Sequence, residues 1–232
     1  MVQNDLPSMS KGESWRLILP VALTPLPRVS EQADRLIGLG IHELVGLTAT
    51  RVRTAVAGTD VLNALLVVHT DRVSASALAP FLEHGVKPGF VVEDMADVDQ
   101  FTPIDIAAPP SSVLYLLHEI NRGDEMANWS PDEALPAITA ADRTPLTLVE
   151  GIHWLLQQPE ALTRNHCFMT IGSRLRRSDG TLDARTPALW ISNGTGRDGA
   201  VRRHAPKVGW CWAGNRHRWL GLASAAGRSP LA

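Results

Sequence analysis

Cysteines and long apolar runs are scarce in this sequence of 232 residues. Its two cysteines, Cys167 and Cys211, are too few for a disulfide framework, and two buried thiols are the ordinary arrangement in a reducing compartment. No apolar run approaches the length of a membrane-spanning helix. The apolar run at 17–26 follows a polar leader, is broken by two prolines and has no basic lead, so it does not read as a secretory signal. These absences predict a cytoplasmic protein with no membrane partner.

Signatures of nucleotide and metal chemistry are also missing. The loop NGTGRDG, which begins at Asn193, has neither the GxGxxG spacing nor the Gly-Lys-Ser/Thr of a P-loop, and no α/β-hydrolase elbow is present. The histidines from His153 onward have no paired metal-ligand spacing. Zinc held by Cys167, Cys211 and two histidines is a conceivable exception. We therefore expect no cofactor and no resident metal.

The net charge of −2 conceals an uneven distribution of charge along the chain. Residues 1–150 carry 10 lysines and arginines against 20 acidic residues, whereas residues 151–232 carry 12 against 4. The two parts therefore have net charges of −10 and +8. Such parts either pack against each other, within one chain or in a homo-oligomer, or provide a functional anion site.

Hydrophobic periodicity and capping residues predict an α+β protein with an N-terminal helical and β-α-β region followed by a mainly antiparallel C-terminal sheet. Short helices over 31–47 precede the β-α-β unit, in which strands 65–68 and 89–92 are parallel and flank a helix at 74–84. Residues 113–120 form a further strand. The chain divides either into an acidic α/β region, 1–110, and a helix-capped antiparallel β region, 111–232, or forms one continuous domain.

Two capping boxes predict the helices of the second region. Ser130 and Glu133 form one box, with Pro131 at the first helical position, and Thr147 and Glu150 form the other. The second helix has an apolar stripe and ends at Pro159, so it should dock on the body of the protein. From residue 167 onward, four antiparallel strands in chain order are predicted to form a meander.

Tryptophan is concentrated in the stretch APKVGWCWAGNRHRWLGLASAAGR, from residue 205 to 228. Residues 207–212 alternate with the period of a strand, which points Trp210 and Trp212 to one face and Cys211 to the other. A Gly-Asn turn follows, so 217–223 is predicted to return as the antiparallel partner of a hairpin. Trp219 would then lie near Trp210 and Trp212. This aromatic face is either core or a binding surface.

Arginines near the predicted hairpin favour a site for a flat or anionic ligand, because guanidinium and indole groups come together there. Arg185 and Asp183 form either a substrate clamp or a surface ion pair. The predicted ligand-binding residues are Trp210, Trp212, Trp219, Arg185, Arg218 and Arg228.

A thiol nucleophile is the sharper enzyme hypothesis. His217 follows Cys211 by six residues and, across the hairpin, would lower the pKa of the thiol and act as a general base. Cys211 and His217 are therefore the candidate catalytic residues. Strand alternation argues against this arrangement, and a buried inert cysteine is the competing interpretation.

Other charged segments leave further alternatives open. Glu93, Asp94, Asp97 and Asp99 follow a predicted strand, where they either bind a divalent cation or form a solvated face. The basic, aromatic C-terminal part has the ingredients of a single-strand nucleic-acid binder. The acidic part would repel the same phosphate backbone, so nucleic acid is an unfavoured partner.

Several segments in a fixed order carry a likeness to a known family. They are FVVEDMADVDQFTPI from Phe90, NRGDEMANWSPDEALPAI from Asn121, RTPLTLVEGI from Arg143, HCFMTIGSR from His166, PALWISNG from Pro187 and the GWCWAGNRHRWLG block. Together they resemble an uncharacterised actinobacterial family, domain of unknown function 5701. The likeness covers most of the chain and is strongest after Asn121. The resemblance implies no activity.

The sequence thus predicts a cytoplasmic protein that binds or transforms a small anionic or aromatic metabolite in a Trp/Arg-lined C-terminal pocket, as part of specialised metabolism. One alternative is a non-catalytic protein-interaction or self-associating module. Another is single-stranded nucleic-acid binding through the basic part. The residues leave open whether the protein is an enzyme.

Overall fold

The structure, a computed structural model, describes residues 23–59 and 61–231. The predicted polar leader and most of the 17–26 run lie outside the described residues. The α-helices are α1 Val29–Gly38, α2 Ile41–Leu44, α3 Ala49–Val56, α4 Ala75–Leu78, α5 Pro131–Ala140 and α6 Leu148–Gln157. The strands are β1 Ala64–Val68, β2 Glu83–His84, β3 Lys87–Pro88, β4 Phe90–Val91, β5 Phe101–Pro103, β6 Leu114–His118, β7 Thr144–Pro145, β8 Cys167–Met169, β9 Ser173–Leu175, β10 Arg185–Ile191, β11 Pro206–Trp212, β12 Leu220–Leu222, β13 Ser224–Ala225 and β14 Gly227–Pro230.

Two sheets form the framework. The three-stranded sheet has the order β1-β6-β14, and both of its strand pairs are antiparallel. The five-stranded sheet has the order β12-β8-β10-β11-β4. β10 is antiparallel to both β8 and β11, whereas the edge strand β12 runs parallel to β8 and the edge strand β4 runs parallel to β11. Three two-stranded sheets complete the described strands. Helices combined with antiparallel and mixed sheets confirm the predicted α+β class.

Helix α6 lies between the two larger sheets and is buried along its whole length. Towards the five-stranded sheet, Gly151 approaches Phe168, and the ring of Trp154 lies 4.9 Å from the ring of Phe168 between centroids. Towards the three-stranded sheet, the Nε2 atom of His153 accepts a hydrogen bond of 3.3 Å from the backbone N–H of Val68. The sequence predicted a helix that docks by one stripe. The helix is central instead, because a sheet covers it on each side.

Glu150 joins α6 to the three-stranded sheet. Its carboxylate is fully buried and accepts hydrogen bonds from the hydroxyl of Tyr115 on β6, at 2.9 Å, and from the guanidinium of Arg228 on β14, at 2.5 and 2.7 Å. The same carboxylate accepts from the backbone N–H of Thr147 at 2.7 Å, which is the capping box predicted from the sequence. One side chain therefore begins the helix and anchors two strands to it.

The predicted capping box at the start of α5 is also confirmed. The Ser130 hydroxyl accepts a hydrogen bond from the Glu133 N–H at 3.3 Å, and the Glu133 carboxylate accepts from the Ser130 N–H at 2.9 Å. Pro131 occupies the first helical position, where its missing N–H costs no hydrogen bond. Local sequence alone determines both helix starts.

Strand pairing differs from the sequence prediction. β1 pairs antiparallel with β6, and β4 joins the other sheet beside β11, so the two strands of the predicted β-α-β unit do not pair with each other. β9 leaves the expected meander to pair with β5, and β12 runs parallel to β8 rather than returning beside β11 as a hairpin. Short apolar strands fix neither their partner nor their direction, because both depend on contacts distant in sequence. Strands that precede the predicted boundary at residue 110 are therefore hydrogen-bonded to strands that follow it, as β1 is to β6 and β4 is to β11.

The acidic and basic parts of the chain form ion pairs with each other. The pairs that join an acidic residue before position 151 to an arginine after it are Asp97–Arg185, Asp94–Arg197, Glu93–Arg202, Glu133–Arg216 and Glu150–Arg228. Opposite charge is therefore partly satisfied within one chain. Among the described residues, no group of three or more histidine, cysteine or acidic side chains is arranged to hold a metal ion. None of the helices in residues 23–59 and 61–231 is long and apolar enough to cross a bilayer.

Candidate functional site

The tryptophans of the C-terminal part lie on two different faces of the five-stranded sheet. Trp210 and Trp212 share one face of β11 and contact each other edge to face, with centroids 4.6 Å apart. Trp190 pairs with Lys207 across β10 and β11, so its side chain lies on the opposite face, the face that also carries Cys211. The predicted grouping of all three hairpin tryptophans on one face is therefore not formed.

Trp219 belongs to the face of Trp190. Its ring lies edge to face against Trp190, at 6.4 Å between centroids, and against His217, at 5.5 Å. Trp219 reaches this position because the chain after β11 does not turn back along it. Instead the Trp219 carbonyl accepts a hydrogen bond from the backbone N–H of Cys167, which leads into the parallel pairing of β12 with β8. The contact between Trp219 and Trp190 thus depends on pairing with β8, a strand that is distant in sequence.

Trp190 is held rigidly by the residues around it. Its indole covers Gly209, where a Cβ atom would be only 2.5 Å from the ring atom Cη2. The Lys207 ammonium lies 4.5 Å from the Trp190 ring centroid and donates to the Asp198 carboxylate at 2.7 Å. The Ser192 hydroxyl donates to the same carboxylate at 2.6 Å. A cation over the ring and a side-chain-free backbone beneath it fix the indole plane.

Gly209→Ala should lower the free energy of unfolding by about 1–3 kcal/mol, because the new methyl group overpacks against Trp190. Urea denaturation followed by tryptophan fluorescence measures this. Gly214→Ala is the matched control, since a Cβ there meets nothing within 4 Å, and it should be neutral or slightly stabilising. Gly209→Ala should cost less stability in a Trp190→Leu background than in the unchanged protein, because the clash is then absent. Equal effects of the two glycine variants would contradict the packing argument.

Two neighbouring cavities share Trp219 and Asn165 in their walls, and together they form what we call the Trp219 cleft. Their volumes are about 420 and 320 Å³, and Trp219 itself is 36% exposed. The first cavity is lined by Asp124, Glu125, Ala127, Asn165, His166, Arg218, Trp219, Leu220 and Gly221. The second is lined by Arg164, Asn165, Cys167, Trp190, Ile191, Asn193, Cys211 and Trp219. Volumes of this size suit a small molecule.

Arg122 organises the wall of the first cavity from behind. It is only 4% exposed and binds the Asp124 carboxylate through two hydrogen bonds, of 2.8 and 2.5 Å. It also donates to the carbonyl of Ala161 at 3.1 Å and contacts the Nδ1 atom of His166 at 3.4 Å. A guanidinium group can only donate, so Nδ1 of His166 is the acceptor in this contact. The charge of Asp124 is thereby compensated.

The segment that carries these residues lies directly on β12. Gly123 has a φ of 74°, and a Cβ atom there would be 2.1 Å from the carbonyl oxygen of Leu222. A Cβ atom at Gly221 would be 2.2 Å from the carbonyl oxygen of Arg122. At Gly123, which combines this close approach with the left-handed conformation, only glycine fits. The contact fixes Asp124 and Glu125 at the edge of the cleft.

Three charged side chains of the cleft form no ion pair with any described residue: Glu125, Arg164 and Arg218. The Glu125 carboxylate accepts one hydrogen bond, of 3.1 Å, from the side-chain amide of Asn121. All three side chains are exposed. The cleft therefore has charges of both signs available for a ligand.

The predicted catalytic residues do not form a nucleophile and base pair in this structure. Cys211 lines the second cavity with Cys167, and burial raises the pKa of each thiol to about 11. His217 lines neither cavity of the cleft, and its buried Nε2 atom has no hydrogen-bond partner among the described residues. Burial lowers the pKa of His217. At neutral pH both thiols are protonated and act as uncharged walls.

Of the predicted ligand-binding arginines, only Arg218 lies in the cleft. Arg185 binds Asp97 at 3.0 and 2.6 Å and Asp183 at 3.1 Å, and its hydrogen bonds hold the pKa of Asp97 below the usual range. Arg228 is occupied by Glu150. Of the predicted tryptophans, Trp219 alone lines the cleft.

Sequence reasoning missed Arg122, Asp124, Glu125, Arg164, Asn165, His166 and Trp190. Two signals pointed towards them. The NRGDE segment places one basic and two acidic residues around a glycine, and an asparagine, Asn165, stands between Arg164 and His166. Asparagine tolerates a positive φ better than most residues, and Asn165 adopts a φ of 65°. Neither signal shows that the two segments meet, because more than 35 residues separate them in the chain.

The fold and the cleft define a class of protein: an α+β domain with a mixed five-stranded sheet and an open tryptophan-lined cleft on one face. The chain belongs to the family described as "Family of unknown function (DUF5701)", whose model matches residues 35–231. This match confirms the family resemblance of the sequence, and all residues lining the cleft lie within it. No curated protein and no solved structure matches the chain.

Proposed function

We propose that this protein binds a small aromatic molecule with an anionic group in the Trp219 cleft. The observation that supports this most is the pair of adjoining cavities that share an exposed Trp219. An aromatic ring gains stacking energy on indole, and a carboxylate or phosphate gains charge-assisted hydrogen bonds from Arg164 and Arg218. We keep, as part of the proposal, the cytoplasmic location and the role in specialised metabolism that the sequence predicts.

Binding is favoured over thiol catalysis because the two cysteine thiols in the cleft are protonated. A thiol with a pKa of about 11 is almost entirely protonated at neutral pH, and only the thiolate is a strong nucleophile. Cys167 and Cys211 therefore contribute shape and polarisable surface. The proposed role is recognition of a ligand, with Trp219 as the stacking residue.

The proposal predicts that aromatic carboxylates quench tryptophan fluorescence with saturation, and that Trp219→Leu weakens their binding about tenfold or more, the equivalent of about 1.4 kcal/mol. The first probe is para-toluate, and a panel of aromatic acids, nucleotides and acyl-CoAs follows. Fluorescence titration of the full chain gives the dissociation constant of the unchanged protein. Ligand-observed NMR titration gives those of the variants, because Trp219→Leu removes the indole that reports binding.

Trp212→Leu and Trp129→Leu are matched controls, because these indoles are 47% and 43% exposed and lie outside the cleft. Each control should bind para-toluate within about twofold of the unchanged protein. Equal losses in all three variants, or no response to any member of the panel, would refute the proposal.

Self-association driven by charge is the competing function. Ion pairs between the acidic and basic parts form within one chain, which weakens the electrostatic driving force for assembly. Light scattering over a salt series separates the two functions, because charge-driven assembly weakens as screening increases.

A further inference from the structure

We infer that the ligand of the Trp219 cleft is dipolar, with an anionic group at Arg164 and an ammonium or hydroxyl donor at Glu125, on opposite sides of an aromatic ring that stacks on Trp219. This inference rests on the proposed function and adds the arrangement of charge that the ligand must have. It follows from how the uncompensated charges are divided between the two cavities.

Arg164 is the only charged side chain lining the second cavity. Its other walls are indoles, amides, an isoleucine and two protonated thiols. An anion placed there meets one cation and no carboxylate among the lining residues. Arg164 is exposed, so this attraction is moderate and weakens as salt is added.

The first cavity differs in its charge. Asp124 and Glu125 both line it, and the buried Arg122 compensates Asp124. Glu125 forms no ion pair with a described residue, and neither does Arg218, which lines the same cavity. An anion near Arg218 would therefore also face the Glu125 carboxylate. A positively charged group or a hydroxyl donor is favoured beside Glu125 instead.

Asn165 and Trp219 connect the two cavities. Both residues line each cavity, so a ligand that contacts Trp219 with its ring can reach both ends. The single hydrogen bond that Glu125 accepts, from Asn121, uses the oxygen Oε1. No hydrogen bond to the other oxygen, Oε2, occurs among the described residues. The ligand class is therefore an aromatic compound with an anionic group at one end and an ammonium or hydroxyl group at the other.

Three para-substituted benzene probes test the inference with the full-length protein. They are para-toluate, which has only the anion, para-methylbenzylamine, which has only the cation, and para-aminomethylbenzoate, which has both. Ligand-observed NMR titration at low ionic strength gives their affinities. We expect para-aminomethylbenzoate to bind about tenfold more tightly than either of the other two, a typical effect of one charge-assisted hydrogen bond.

Matched variants assign each end. Glu125→Gln should abolish the tenfold advantage of the dipolar probe and leave para-toluate within about twofold. Arg164→Gln should weaken para-toluate and the dipolar probe about tenfold and spare para-methylbenzylamine, whereas Arg218→Gln should have less than half of that effect.

The outcomes separate this inference from the proposed function. Binding of para-toluate that depends on Trp219 but shows no gain from the amine, or no response to Glu125→Gln, overturns the dipolar ligand and leaves the aromatic site intact. A larger effect of Arg218→Gln than of Arg164→Gln also overturns it. Absence of binding by all three probes overturns both statements.

Discussion

Arg228→Met should lower the free energy of unfolding by about 3–5 kcal/mol, because it leaves the buried Glu150 carboxylate without its cation. The Arg228 and Glu150 side chains are 6% and 0% exposed, and two hydrogen bonds join them. Arg228 also donates to the Thr144 hydroxyl at 2.6 Å and to the Pro145 carbonyl at 3.0 Å. Urea denaturation at pH 7 measures the loss.

Arg164→Met is the matched control for this prediction. Arg164 is exposed and forms no ion pair with a described residue, so the change should stay within about 0.5 kcal/mol. Arg228 lines neither cavity of the cleft, so Arg228→Met should leave para-toluate binding unchanged under conditions where it is folded. A variant that loses binding but little stability would instead support the sequence prediction that Arg228 contacts the ligand.

A compensating change extends the test. In the double variant Glu150→Gln with Arg228→Met, no buried charge lacks a partner, so part of the lost stability should return. Tyr115→Phe removes one hydrogen bond to the carboxylate and should cost about 1 kcal/mol. Additive losses in the double variant would show that the two side chains do not interact.

Acidification should destabilise the protein through His153. Burial lowers the pKa of this fully buried histidine from 6.5 to about 4, so the folded state resists protonation while the unfolded state accepts it. Its contribution to stability is complete above pH 6.5 and is lost progressively as the pH falls towards 4. The loss amounts to about 3 kcal/mol, at 1.36 kcal/mol for each pKa unit.

His153→Gln removes the titrating group and should flatten the dependence of unfolding free energy on pH between 6.5 and 5. The measurement is a series of urea denaturations across this range. His217→Gln is the comparison: burial also lowers the pKa of His217, but this side chain is less buried, so the variant should flatten the pH dependence less than His153→Gln. An unchanged slope in His153→Gln would show that another group dominates acid destabilisation.

Sequence alone predicted the features that neighbouring residues determine. The capping boxes at Ser130 and Thr147 set the starts of α5 and α6, because their hydrogen bonds join residues three positions apart. Strand alternation placed Trp210 and Trp212 on the face opposite Cys211, since the period of a strand is a local property. The α+β class and the family resemblance also followed from the chain as written.

Tertiary structure decided which of these residues meet. Trp219 lies beside Trp190 because β12 pairs in parallel with β8, and no local pattern specifies that partner. Arg185 and Arg228 were candidates of the same kind as Arg218, but Asp97 and Glu150, both distant in sequence, form ion pairs with them. A charge in the sequence becomes available to a ligand only when folding leaves it without a partner, and that outcome depends on contacts between segments far apart in the chain.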